Sequence, residues 1–159
     1  GPPLNVLTDT ASFLHRAELS GVATQPERWR EVSEFARQLF PNPGIAFADV
    51  HAALAHAMAG EADALAKLIA EPAGPAGEVV TALAQAFEAF ACRDWAETIA
   101  LLAPVMTTHE RIGGSRAQRD LLEFTLVAAL LKLGRADDAR LMLATRRPKK
   151  ARARVVAGL

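Results

Sequence analysis

Few residues in this sequence are placed to do chemistry. Asp49 and His51 stand two apart in Phe47-Ala48-Asp49-Val50-His51, and a carboxylate with an imidazole is common material for acid–base catalysis. On a helix, residues two apart point away from each other. His56, five residues beyond His51, is rotated from it by about 140°. Neither pairing therefore forms the i, i+4 set that holds a metal. Another helix would have to bring His51 a partner. Without one it reads as a buried, hydrogen-bonded histidine, and His15 and His109 read as partly exposed helix residues.

The second candidate is Gly113-Gly114-Ser115-Arg116-Ala117-Gln118-Arg119-Asp120. Two glycines permit a tight turn, and Ser115 with Gln118 has the spacing of a capping box at a helix start. Arg116 and Asp120, four apart, can pair on the helix surface. A glycine turn at a helix N-terminus, flanked by Arg116 and Arg119, could also hold a carboxylate or phosphate. The lysine of a P-loop and a preceding strand are both missing, so nucleotide binding has little support.

Cys92, the single cysteine, follows Phe87 and Phe90 in an alanine-rich stretch and reads as a small core hydrophobe. It excludes an intramolecular disulfide framework and any zinc cluster of several cysteines. No motif calls for a metal or a cofactor. Trp29 and Trp95 are explained by packing between helices.

Charge is unevenly divided. The 18 basic and 18 acidic residues cancel, but six of the basic ones lie at 146–154 and no acidic residue follows Asp138. Residues 1–145 hold 12 basic against 18 acidic residues, an acidic body ahead of a basic tail. Such a tail can bind nucleic acid or an anionic membrane. Pro148 interrupts it and no aromatic is present to stack on bases, so nucleic acid is the weaker expectation. A solvated tail over 148–159, or one lying against the acidic body, is the simpler one. No apolar run reaches the roughly 20 residues of a membrane span, no secretory signal is visible, and a cytoplasmic protein is expected. Gly1-Pro2 resembles the scar of a tag-removing protease and is set aside.

The elements that position these residues are all helical. Of the 159 residues 34 are alanine and none is tyrosine, and apolar residues recur at spacings of 3 and 4. The stripes Trp29-Val32-Ala36-Leu39, Phe47-Val50-Leu54-Met58 and Val80-Leu83-Phe87-Phe90 are examples. Glycines, prolines and caps predict helices near 8–20, 26–39, 45–59, 61–70, 77–92, 94–109, 115–133 and 135–145. Trp29, Ala62, Trp95 and Ala136 open the second helix of each pair at intervals of 33, 33 and 41 residues. A two-helix unit with a period near 34 is the tetratricopeptide signature, with about eight residues inserted before the last copy. The Thr-Pro-Leu-His turn of ankyrin repeats is absent. The expected architecture is an all-α, tetratricopeptide-like helical-repeat solenoid of four antiparallel pairs over residues 3–147.

The segment Gly113–Asp120 resembles the Gly-Gly-Ser-x-Ala-Gln-Arg-Asp stretch of the tetratricopeptide repeat protein 38 family. Asp9, Ser12, Leu14 and Arg16, then Glu18-Leu19-Ser20-Gly21, Trp29 and Phe47-Ala48-Asp49-Val50-His51, extend that resemblance over residues 4–147. Members of the family are longer, so the resemblance implies a C-terminal portion of such a protein. It implies a helical-repeat fold, adds little chemistry, and gives His51 a further claim to a role.

Two-helix repeats usually bind. The expected function is a protein–protein interaction module or scaffold holding a protein or peptide partner in a concave groove. The alternative is an enzyme fragment, or an anion- or small-molecule-binding protein, using Asp49, His51, Gly113, Gly114, Ser115, Arg116 and Arg119. A third reading is a basic-tail adaptor for nucleic acid or anionic membrane. Unpaired solenoid ends would also permit self-association.

Overall fold

The computed structural model describes residues 1–146 together with Val156 and Ala157. The described residues form eight α-helices and no strand: α1 (Pro3–Leu19), α2 (Pro26–Leu39), α3 (Ala46–Ala59), α4 (Ala62–Ala70), α5 (Gly77–Ala91), α6 (Trp95–Val105), α7 (Arg116–Lys132) and α8 (Ala136–Arg146). The all-helical class follows from the 3- and 4-residue spacing. No helix among the described residues is long and apolar enough to cross a membrane. Most of the tail expected over 148–159 lies outside the described residues.

Two boundaries differ from the expected ones. Helix α1 begins at Pro3, because a proline in the first turn needs no N–H partner and fixes a helical φ. Helix α6 stops at Val105 instead of continuing to 109. Pro104 lies in its last turn, and the Thr107 hydroxyl donates to the Pro104 carbonyl at 2.9 Å, which helps end the helix. A 3₁₀ turn at His109–Ile112 follows in the connection between α6 and α7. There Ile112 is buried and Arg111 donates to Glu78 and to the Pro75 carbonyl, both at 2.5 Å.

Consecutive helices pack on one another, α1 on α2, α3 on α4, α5 on α6 and α7 on α8. The odd-numbered helices also pack, α1 on α3 and α3 on α5, while α7 turns to α1 and reaches α5 through α6. The first helix is thereby brought against the seventh. Helix α3 sits at the centre, touching α1, α2, α4 and α5, and every residue from Ala48 to Ala57 is buried. A single apolar stripe understates this helix. Its alanines let four neighbours approach, and a helix apolar on most sides must be covered on most sides.

Three side chains do not sit where their sequence context suggests. Cys92 is exposed, because it caps α5 beyond the end of the helix's buried face. His15 is fully buried at the meeting of α1, α5 and α7. Trp95 differs from Trp29. Trp29 is fully buried and donates its indole N–H to Glu18 at 2.6 Å, whereas Trp95 is half-exposed and packs edge-on to Phe90.

Candidate functional site

His51 has the partner that sequence could not supply. Its Nδ1 lies 2.7 Å from the Phe47 carbonyl, which can only accept, so Nδ1 carries the proton. Nε2 is then an acceptor, and Ser12 on α1 donates its hydroxyl to it at 3.1 Å. A serine hydroxyl on a neutral imidazole is the donor–acceptor arrangement of an activated nucleophile. Here both residues are buried, His51 at 1% exposure and Ser12 at 7%. Burial lowers the His51 pKa to about 4, against smaller opposing effects of the Phe47 bond and the Asp9 charge, which makes a weak base. Neither of the two cavities described below reaches the pair. The bond ties α1 to α3.

Asp49 serves a different neighbourhood. Its carboxylate accepts the Gly44 N–H at 2.8 Å and fixes the loop that leads into α3. Burial raises its pKa, and the Gly44 bond opposes this in part. The structure therefore does not bring Asp49 and His51 together.

The Gly113-Gly114-Ser115 turn does come close to the His51 neighbourhood. At Gly114 (φ +85°) a Cβ would stand 2.4 Å from the Phe47 ring, and that ring meets His51 edge-on at 4.7 Å between centroids. Phe47 fills the space between turn and histidine, so the two are packed with no ligand space on this line. Ser115 and Gln118 complete the capping box: the Ser115 N–H donates to Gln118 Oε1 at 2.8 Å and the Gln118 N–H to Ser115 Oγ at 3.4 Å. Gln118 also donates to Asp9 at 3.2 Å, joining α7 to α1. Arg119 turns back to donate to the Gly114 carbonyl at 3.0 Å. These bonds engage the Ser115 N–H and hydroxyl, the Gln118 amide and one Arg119 nitrogen. The Arg116 side chain, expected to pair with Asp120, lies outside the described residues.

His15 joins the same helices more deeply. Its Nε2 lies 2.9 Å from Thr125 Oγ1, and that hydroxyl donates to the Leu121 carbonyl at 2.8 Å, so Nε2 carries the proton. Nδ1 is a buried lone pair with no hydrogen-bond partner among the described residues, and the ring packs edge-on to Phe87 and Phe90. Burial lowers its pKa to about 3.

A roomier hollow lies elsewhere. A half-open cleft of about 940 Å³ opens where α1, α3, α5 and α7 end, at Leu19, Met58, Phe90 and Leu131. Trp95 lines it, and so do two exposed cations, Arg93 and Lys132, that have no acidic partner among the described residues. Arg93 is the one described non-glycine residue with positive φ (+61°). Gly21, Gly60 and Gly134 hold the corresponding turns of the other pairs, also with positive φ. A side chain in that conformation is disfavoured, by about 1 kcal/mol or more, and here it places a guanidinium on the cleft. Sequence spacing gave no sign of this site because it is assembled from four helix ends and the tail. Val156 is buried in it at 2% exposure, and the Ala157 N–H donates to the Leu19 carbonyl at 2.8 Å. In a smaller hollow of about 340 Å³ between α2 and α4, Lys67 is engaged by the Pro41 carbonyl at 2.8 Å and His56 by Ser33 at 2.7 Å.

Among the described residues no group of three His, Cys, Asp or Glu side chains is placed to hold a metal ion. Compared with known proteins, the chain matches no family model and no solved structure.

Proposed function

We propose that the chain is a helical-repeat protein of tetratricopeptide type, akin to the tetratricopeptide repeat protein 38 family and cytoplasmic, that acts as an interaction module or scaffold for a protein or peptide partner. The 33-, 33- and 41-residue intervals and the packing of consecutive helices support the repeat architecture. The inward sides of α1, α5 and α7 meet at His15, Phe87 and Phe90, so the recognition surface is assigned to the cleft at their C-terminal ends. One observation carries the reading: the cleft already holds a peptide segment through a buried aliphatic side chain and a backbone hydrogen bond. Main-chain bonding combined with a side-chain pocket is how a short peptide is recognised.

Trp95 provides the test. With Trp29→Phe, Trp95 remains as the only tryptophan, at the edge of the cleft. Titration with a pool of short peptides is expected to shift its emission saturably, and Met58→Glu, inside the cleft, to abolish the shift. Peptide binding that leaves Trp95 emission unmoved and survives Met58→Glu would place recognition elsewhere.

A further inference from the structure

Resting on that assignment of the cleft, we infer that its specificity is written in the chain's own C-terminal segment. Val156-Ala157 is a built-in occupant that any partner must displace, and the partner site accepts a peptide of the same chemistry: a small branched aliphatic residue, then a small residue with a free N–H, behind a basic stretch. Three observations carry this. Val156 is 2% exposed although it lies next to the most highly charged part of the sequence. Ala157 makes its bond to Leu19 through the backbone, with its Cβ 3.6 Å from where a Cβ on Gly21 would stand, so a larger side chain at 157 meets the α1–α2 turn. By sequence, six basic residues at 146–154 follow a body of 12 basic and 18 acidic residues, a charge complement that favours this segment over any neutral one of equal shape.

Tethering makes the occupant a regulator. Nine residues separate Arg146 from Val156, and a segment on so short a connection competes at an effective concentration on the order of millimolar. A free peptide with micromolar affinity for the empty cleft therefore binds the closed protein at least tenfold more weakly.

The experiment uses the full chain and a fluorescein-labelled synthetic peptide of residues 146–159, read by anisotropy. The Val156→Asp chain is expected to bind the peptide at least tenfold more tightly than the unaltered chain, and a peptide carrying Val156→Asp to lose that binding. In the unaltered, isotope-labelled chain, excess unlabelled peptide is expected to accelerate hydrogen exchange of the Ala157 amide as its bond to Leu19 is released, a readout that needs no variant. Equal affinity for both chains, or Ala157 amide exchange unaffected by peptide, overturns the built-in occupant while leaving the cleft as a peptide site. A chain that binds unrelated peptides at Trp95 but not this one overturns the specificity. Concentration-dependent dimerisation with tails exchanged between copies overturns occupancy within one chain.

Discussion

Nε2 of His15 lies 2.9 Å from the hydroxyl of Thr125, a contact spanning 110 residues that binds the first helix to the seventh. Thr125 uses its own proton on Leu121, so the imidazole must donate, and its other nitrogen is buried without a proton or a partner in a ring packed edge-on to Phe87 and Phe90. The packing of the odd-numbered helices thus encloses a neutral histidine.

Acid should unfold this protein through its histidines. His15, His51 and His56 have folded pKa values of about 3, 4 and 4, below the ordinary 6.5, because burial disfavours the charged ring. The unfolded chain then binds more protons, so stability is complete above about pH 7 and falls as pH drops below 6.5. At pH 4 the loss is on the order of 3 kcal/mol per histidine. Asp49, with its raised pKa, works in the opposite direction. Urea denaturation followed by circular dichroism should show a midpoint that declines from pH 7 to pH 4.5, and a flat profile would contradict the burial of these rings.

His15→Leu isolates one of these contributions. The substitution removes a bare lone pair from an apolar site and leaves Thr125 its bond to Leu121. Stability at pH 7 should stay within about 1 kcal/mol of the unaltered chain or rise, while the acid midpoint moves to lower pH. A loss of several kcal/mol at pH 7 would mean that the Thr125 bond outweighs the desolvation of the ring.

Gly114→Ala and Gly113→Ala should differ sharply. Both positions have positive φ, but only at Gly114 does the new Cβ collide with the Phe47 ring, and a Cβ on Gly113 meets open space. Gly113→Ala is expected to cost about 1 kcal/mol and Gly114→Ala about 2–3 kcal/mol. Phe47→Leu in the Gly114→Ala background should recover part of the difference. Equal costs in thermal denaturation would refute the contact.

Ser12→Ala tests the tie between α1 and α3. It leaves the buried Nε2 of His51 without a donor, and should cost about 1–3 kcal/mol. Ser115→Ala, which removes an exposed cap, should cost about 1 kcal/mol. Chemical denaturation of the two variants should rank them in that order.

The helices and the capping of α7 were legible from local signals, because spacing at 3 and 4, prolines and the Ser115–Gln118 pair act within a few residues of themselves. The Gly-Gly-Ser turn was legible as a turn but not as a packing partner of Phe47, 67 positions away. His51 could be singled out, but the choice between a chemical and a structural role needed Ser12 and the burial of both. His15 and Cys92 sit opposite to their local context, since burial depends on which neighbouring helix covers a face and periodicity cannot say whether one does.

What the sequence determined by itself is an all-helical chain, with an acidic body and a basic C-terminal stretch. The tertiary structure alone decided that α7 packs on α1, that their inner faces close around His15, and that Val156 lines a cleft at the ends of four helices. The physical reason is range. Helix formation and capping are settled by bonds across three or four residues, whereas a cleft is made by surfaces far apart in the chain. Those surfaces meet only when each helix buries its apolar face against another.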